Sequence, residues 1–156
     1  MGGPKGFDAG KKIKGRKRHI LVDVLGNILL VLITAASVQD RDAGAQLVEM
    51  AAIRFPSLQK NWVDSAYRGE LIENVKKKTG IDVEVTLRSD TIKGFVPVRK
   101  RWVVERTFGW LNRSRRLAKD DENTLDSSQA WLDIASTRLG LGALTRAPLR
   151  FRTVPS

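Results

Sequence analysis

The sequence predicts a single α/β domain in which helices flank a mixed sheet, and two observations support this class. Apolar and amphipathic segments follow one another in the order β-β-α-β-α-β-α-α, which is typical of strands connected by covering helices. The run Ile28–Thr34 is apolar up to its last residue, as expected for a strand covered on both faces. A length of 156 residues with 42% hydrophobic content suffices for one ordinary core.

Local signals predict each element in turn. Two apolar runs, His19–Leu25 and Ile28–Thr34, surround Gly26-Asn27, which predicts a β-hairpin. Asp40 or Asp42 begins a helix that runs to about Arg54, and we expect Asp40 to be its N-cap. The later elements are a strand over 58–64, a helix over 69–78 that ends at Gly80, a strand over 82–88, a basic helix over about 100–119 and a helix over about 127–144.

The two ends differ from the rest in composition. Residues 1–18 contain seven Lys or Arg and several glycines, which predicts a flexible basic arm. Residues 19–146 form the predicted domain, and residues 147–156 a tail.

The net charge of +11 indicates a polyanionic partner, because a basic face neutralises phosphates and releases their counterions. No segment is long and apolar enough to cross a membrane, and the N-terminus has no hydrophobic signal core. The basic runs also lack the apolar face of a membrane-surface helix. Nucleic acid is therefore the expected partner. The absence of cysteine excludes disulfides and cysteine-based zinc sites, and it fits a reducing cytoplasm.

Two carboxylates are candidates for metal chemistry. Asp64 ends a predicted strand, where functional groups of open α/β sheets collect, although a turn or helix cap is the alternative. Glu105 lies in the basic helix; at 100° per residue Arg101, Asn112 and Arg116 fall within about 40° of it. Its alternative is a set of helical ion pairs with Arg101 or Arg106. Two carboxylates can hold one Mg²⁺ for phosphoryl transfer, whereas a two-metal site normally requires a third.

Basic residues are densest between residues 99 and 119, where eight cations accompany Glu105 alone. With no base-reading motif, we expect contacts to phosphate. The predicted DNA contacts are Lys14, Arg16, Lys17 and Arg18 in the arm, and Arg99, Lys100, Arg101, Arg113, Arg116 and Lys119 in the helix. Trp102 and Trp110 either stack on a flipped base or join the core, and His19 receives no functional role.

Four segments in the order Gly6–Asp23, Ala35–Asp42, Val63–Gly69 and Arg101–Arg113 closely resemble bacterial insertion-sequence transposases of the DDE type. The resemblance extends from about residue 3 to residue 146. It implies a ribonuclease-H-like fold, Mg²⁺- or Mn²⁺-dependent DNA cleavage and strand transfer, and a location in the bacterial cytoplasm at the nucleoid. It also implies insertion-element ends and target DNA as partners, and a homo-oligomer in the intact enzyme.

By this resemblance, Asp64 matches the second catalytic acid of the family and Glu105 its glutamate. Arg101 also matches the signature around that glutamate, whereas Val98 stands where the relatives have Tyr and Asn112 where they have Lys.

The family's first catalytic Asp lies on a strand before the Gly6–Asp23 segment, and this chain begins at Met1 after that point. We therefore expect the sheet to lack its first strand, and we expect Asp8 and Asp23 to have local roles. The hypotheses are an N-terminally truncated transposase, a non-catalytic basic DNA-binding remnant of one, and an RNA-binding or ribosome-associated basic protein.

Overall fold

A computed structural model describes residues 5–10, 12–63, 70–86 and 99–145. The strands in this part are β1 (Gly6–Asp8), β2 (Ile13–Val22), β3 (Ile28–Ala35), β4 (Lys60–Val63) and β5 (Asp82–Val85). The helices are α1 (Asp40–Arg54), α2 (Glu70–Thr79), α3 (Arg99–Leu111), α4 (Arg115–Ala118) and α5 (Leu125–Thr145). None of the helices in these ranges is long and apolar enough to cross a membrane.

The strands form two sheets, one antiparallel in the order β1-β2-β3 and one parallel pair, β4-β5. The predicted α/β class is confirmed. The expectation of one continuous mixed sheet is wrong for the described residues, because no described strand pairs with both β2 and β4. Antiparallel and parallel ladders both occur, but they remain separate.

The predicted hairpin is confirmed as β2 and β3, in a register that runs from Arg16 opposite Ala35 to Val22 opposite Ile28. Its connection begins at Asp23, whose Oδ1 accepts hydrogen bonds from the backbone amides of Leu25 and Asn27 at 2.8 and 2.9 Å. Asp23 therefore has the local role expected of it, since its carboxylate satisfies turn amides.

The flexible arm predicted over residues 1–18 is wrong for residues 6–8 and 13–18, which are strand residues. β1 pairs with the first residues of β2, from Gly6 opposite Gly15 to Asp8 opposite Ile13, and β2 then continues along β3. Composition indicated mobility here, but backbone pairing of β1 with β2, and of β2 with β3, orders the segment. Residues 1–4 and 11, and the tail predicted over 147–156, lie outside the described residues.

The two helix caps had different outcomes. Asp40 was predicted to cap α1, but the N-cap is Gln39, which makes no side-chain capping bond. The carboxylate of Asp40 instead pairs with the Lys17 ammonium at 3.0 Å. The predicted end of α2 at Gly80 is confirmed: Gly80 has φ 72° and its amide donates to the Lys76 carbonyl at 2.9 Å.

The basic helix predicted over 100–119 is two helices, α3 and α4, separated by a turn at 112–114. Ser114 has an extended backbone and is the N-cap of α4, and Asn112 and Ser114 are both residue types that favour turns and caps over helix interiors. Because α3 ends at Leu111, Arg116 does not share a helical face with Glu105, as a continuous helix would have required.

The core lies on both faces of the antiparallel sheet. On one face, Leu47 and Ala51 of α1 pack with Leu21 of β2, and Val48 extends this contact to α2. On the other face, a cluster from α3, α4 and α5 covers β3. That cluster contains Leu111, Leu117, Leu132 and Ala135, with Ile28, Val31 and Ile33 packed against it.

A buried ion pair connects β2 to the loop before α5. The side chain of Arg16 is 1% exposed, and its Nη1 lies 3.4 Å from Asp120 Oδ1. It also donates to the backbone carbonyl of Glu122 at 3.0 Å. The Asp120 carboxylate accepts a further hydrogen bond from Ser128 Oγ at 2.8 Å, and Ser128 is buried. Arg16 therefore joins the sheet to the start of α5.

We expect Asp120→Ala to lower the free energy of unfolding by about 3 kcal/mol, because it leaves the buried Arg16 guanidinium without its carboxylate. Urea denaturation measures the change. Asp121→Ala is the matched control, since Asp121 pairs on the surface with Lys119 and should cost less than about 1 kcal/mol. Equal stability of the two variants would contradict a structural role for the Arg16–Asp120 pair.

Candidate catalytic and nucleic-acid surface

Glu105 lies in the middle of α3 with an exposed side chain. Helix α3, which carries Glu105, contacts both β2 and β4 and therefore bridges the two sheets. An exposed carboxylate on a helix with basic neighbours is able to ligate a hard cation.

Asp64, the second predicted acid, lies outside the described residues. The strand before it is well defined: β4 ends at Val63, whose carbonyl accepts a hydrogen bond from the Thr86 amide at 2.7 Å. Position 64 follows directly on this strand, and α3 packs against the same strand. Within the described ranges, no group of three His, Asp or Glu side chains is arranged to hold a metal ion.

Two hydrogen bonds hold α3 to the turn of the hairpin. Thr107 is fully buried, and its Oγ1 lies 3.1 Å from the Gly26 carbonyl and 3.0 Å from the Val103 carbonyl of its own helix, so its one proton is shared between two acceptors. Arg106 Nη2 donates to the Leu25 carbonyl at 2.6 Å. Gly26 has φ 90°, and a Cβ there would lie 2.9 Å from Thr107 Oγ1. Only glycine allows this close approach without strain.

The guanidinium of Arg106 stacks on two indole rings, at 4.8 Å from the centre of Trp102 and 4.6 Å from that of Trp110. Trp102 lies four residues before Arg106 and Trp110 four residues after it, so both rings are its neighbours on the helix surface. Arg106 is therefore a structural cation, and Trp110 is half-buried against it. Trp102 remains 43% exposed, so of the two it is the one open to solvent.

Sequence reasoning missed Gly26, Arg106 and Thr107 as positioning residues for Glu105. The Gly-Asn turn and the Trp-x3-Arg-x3-Trp spacing were visible signals. They did not show that the turn and the helix meet, because that contact joins residues 81 positions apart.

Four of the predicted DNA contacts have exposed side chains: Lys14, Arg113, Arg116 and Lys119. Arg116 lies 5.2 Å from the ring centre of Trp131 and 3.7 Å from Glu122, yet it stays 65% exposed. An exposed ion pair such as Arg116–Glu122 is weak, so Arg116 is able to exchange it for a contact with phosphate.

Three predicted DNA contacts are instead engaged within the protein. Arg16 is buried against Asp120, which removes it from the predicted contacts. Arg18 Nη1 donates to the Leu117 carbonyl at 2.6 Å. Lys17 pairs with Asp8 and Asp40; burial opposes its charge, but the hydrogen bonds to these carboxylates prevail and raise the pKa of Lys17. For Arg16 and Arg18 the reason is strand alternation, which directs both towards α4 and the loop before α5, whereas Lys17 lies on the opposite face.

Arg99, Lys100 and Arg101 form the first turn of α3, and their side chains lie outside the described part of the chain. Their predicted contacts with DNA remain predictions.

Asp8 and His19 both have local partners. Asp8 accepts a hydrogen bond from the Gly10 amide at 2.9 Å and pairs with Lys17, as the expected local role requires. His19 Nε2 lies 3.0 Å from Thr34 Oγ1. Burial lowers the pKa of His19; the charge of Asp40 opposes this shift, and that of Lys17 adds to it.

The comparisons with known proteins agree with one another. A family model described as the transposase DDE domain matches residues 1–137. The chain is 30% identical over 140 residues to a Burkholderia cepacia protein described as a transposase for insertion sequence element IS402. This alignment covers 85% of the chain and 66% of the relative, so the chain spans less than two thirds of the length of that protein. No solved structure gives a significant match.

We expect Gly26→Ala to lower the free energy of unfolding by about 2 kcal/mol, because alanine is strained at this φ and its Cβ meets Thr107. Gly109→Ala is the matched control on α3. A Cβ at Gly109 meets open space, so this variant should gain up to about 1 kcal/mol of helix propensity. Urea denaturation of both variants measures the difference, and a neutral Gly26→Ala would contradict the anchoring of α3 at this turn.

Proposed function

Because the chain belongs to the transposase DDE domain family, we propose that it cleaves DNA and transfers the cut strand during transposition of a bacterial insertion element. The observation that carries the proposal is the contact of α3 with β4. It brings the helix of Glu105 against the strand after which Asp64 follows, although the two acids are distant in sequence. This role assigns the chain to the cytoplasm, at the DNA of the nucleoid.

In this proposal Asp64 and Glu105 together hold Mg²⁺ or Mn²⁺. Their oxygen ligands suit these hard cations, and the side chain of Glu105 is exposed. When bound, such a cation supplies Lewis-acid stabilisation of the phosphate oxygens. Arg101, next to Glu105 by one helical turn, would bind the donor DNA beside it.

The chemistry takes place at phosphorus in two steps. Water attacks a phosphodiester, the bond from phosphorus to O3′ breaks, and a 3′-hydroxyl is released. That hydroxyl then attacks a phosphodiester of the target and displaces a new O3′. The protein contributes orientation and charge: exposed Arg113, Arg116 and Lys119 would hold the backbone through phosphate contacts that do not depend on base sequence.

We propose a ribonuclease-H-like arrangement for the domain. On one side, α1 packs on β2 and β3, and α2 packs on β5 and on α1. On the other side, α3 contacts β2 and β4. One further strand between β2 and β4 would join the two ladders into a single mixed sheet. The separation of the ladders supports this reading, and the family match agrees with it.

A second candidate function is DNA binding without catalysis. The engagement of two acids favours it: Asp8 pairs with Lys17, and Asp23 accepts turn amides, so neither is placed as a third metal ligand. A chain whose metal site has only two carboxylates would still bind DNA through the cations of its basic surface. Nuclease activity separates this candidate from the transposase.

We expect the chain to nick supercoiled plasmid in Mg²⁺ or Mn²⁺, and we expect Asp64→Ala and Glu105→Ala to abolish nicking while DNA binding is retained. Glu73→Gln is the control, since Glu73 is an exposed acid on α2. Electrophoresis of relaxed and supercoiled DNA measures the activity. Absence of nicking with intact DNA binding would identify the non-catalytic protein, and a preference for structured RNA would contradict both candidates.

We expect Arg113→Ala and Lys119→Ala each to weaken DNA binding and to reduce the slope of log K against log salt by about one, because each removes one phosphate contact. Fluorescence anisotropy across a salt series measures the slope. Lys77→Ala removes the same charge from α2, away from the proposed surface, and serves as control. An equal effect of Lys77→Ala would show that net charge alone determines binding.

A further inference from the structure

Helix α5 is apolar on two opposite sides. Leu132 and Ala135 face the core and are 0% and 7% exposed. Ile134, Leu141 and Leu144 face away from it and are 58%, 58% and 84% exposed. A surface helix normally has one apolar side, which it packs on the core, so a second apolar side indicates a second neighbour. In the described part of the chain only the core side of α5 is covered.

The exposed side has the spacing of a coiled-coil seam. The outward residues alternate in steps of four and three along the helix, and all of them are exposed: Ala130, Ile134, Thr137, Leu141 and Leu144. This 3.5-residue period is the pattern by which two helices pack side by side over successive turns. We call these five residues the α5 stripe.

Other exposed apolar residues of the described chain do not form such a pattern. Ile53 is 85% exposed near the end of α1, and Val24 and Leu25 lie at the hairpin turn. Single exposed apolar residues are normal on protein surfaces, whereas a row of them at heptad spacing indicates an interaction surface.

We propose that the α5 stripe binds the same stripe of a second copy of this chain, with the two helices parallel. Charge favours this occupant and this orientation. In heptad terms Ile134 and Leu141 are a positions, so Asp133 is a g position and Arg138 an e position five residues later. A parallel pair brings Asp133 of each copy to Arg138 of the other.

The antiparallel alternative lacks this complementarity. Antiparallel helices oppose g with g and e with e, so Asp133 would face the Gly140 position, and Arg138 would face Trp131 or Thr145. The side chains needed for the parallel pair are accessible. Asp133 and Arg138 are exposed, Asp133 accepts a hydrogen bond from Gln129 at 3.0 Å, and within the described residues Arg138 has no ion pair.

The proposed helix–helix contact extends over few residues, and its small area limits the affinity of the dimer. The stripe covers about two heptads, includes Thr137 and Ala130 as small members, and is smaller than the roughly 800 Å² per partner of a standard interface. Its two surface ion pairs contribute orientation more than affinity. We therefore expect a dimer that dissociates on dilution. The proposal concerns a different face from the catalytic surface and does not depend on the proposed function.

Sedimentation velocity over a concentration series tests the pairing. We expect the full chain to shift from monomer to dimer, and Ile134→Glu with Leu141→Glu to weaken the dimer at least tenfold. Ile53→Glu is the matched control, because it places the same charge at an exposed apolar residue outside the stripe. Circular dichroism verifies that each variant is folded. A wild-type chain that stays monomeric at several hundred micromolar would overturn the proposal.

Charge exchange and cysteine cross-linking test the orientation. Asp133→Arg and Arg138→Asp should each weaken the dimer, and the double exchange should restore it. Because the chain has no cysteine, Ile134→Cys introduces a single thiol that a parallel pair brings next to its counterpart. We expect oxidation to give a covalent dimer with Ile134→Cys and not with Ile53→Cys. Equal cross-linking of both, or no recovery in the double exchange, would contradict the parallel stripe.

Discussion

Helix α3 is held to the hairpin turn at Gly26, and the position of Glu105 depends on that contact. Thr107 is fully buried against this turn: its hydroxyl lies 3.1 Å from the Gly26 carbonyl as well as 3.0 Å from the Val103 carbonyl of its own helix, and Arg106 donates to the Leu25 carbonyl beside it. The turn is itself ordered by Asp23, which accepts amides from Leu25 and Asn27. Sheet, turn and helix therefore form one continuous connection, and the orientation of Glu105 is inherited from the geometry of β2 and β3.

The basic residues divide into two physical classes that net charge does not distinguish. Arg16 is buried against Asp120, and Arg106 is half-buried and engaged by two indole rings and a carbonyl. Arg113 and Lys119 stand at the surface; Lys119 pairs there with Asp121, but such an exposed pair is weak and phosphate is able to replace it. A charge of +11 thus overstates the electrostatic surface offered to DNA, since part of it stabilises the fold.

Sequence reasoning succeeded where the signal was local. The hairpin followed from Gly26-Asn27 between apolar runs, and the end of α2 followed from Gly80, because backbone conformation there depends on one or two residues. It failed where distant segments decide the outcome. Composition suggested a mobile arm, but β2 is ordered by β3 and by Asp120 far along the chain. Asp40 has the chemistry of a cap, yet Lys17 engages its carboxylate.

The same packing also relates the two proposed surfaces. Helix α5 meets α3 through the cluster that contains Leu111 and Leu132. Ile134 lies two residues beyond Leu132, which is about 200° around the helix, so the α5 stripe faces away from α3. Pairing through the stripe would therefore leave Glu105 of each copy uncovered, whereas Arg116, which stacks on Trp131 at an e position, would lie beside the contact. A dimer of this kind would present one DNA-facing surface on each outer side, and none of the five stripe residues is a predicted DNA contact.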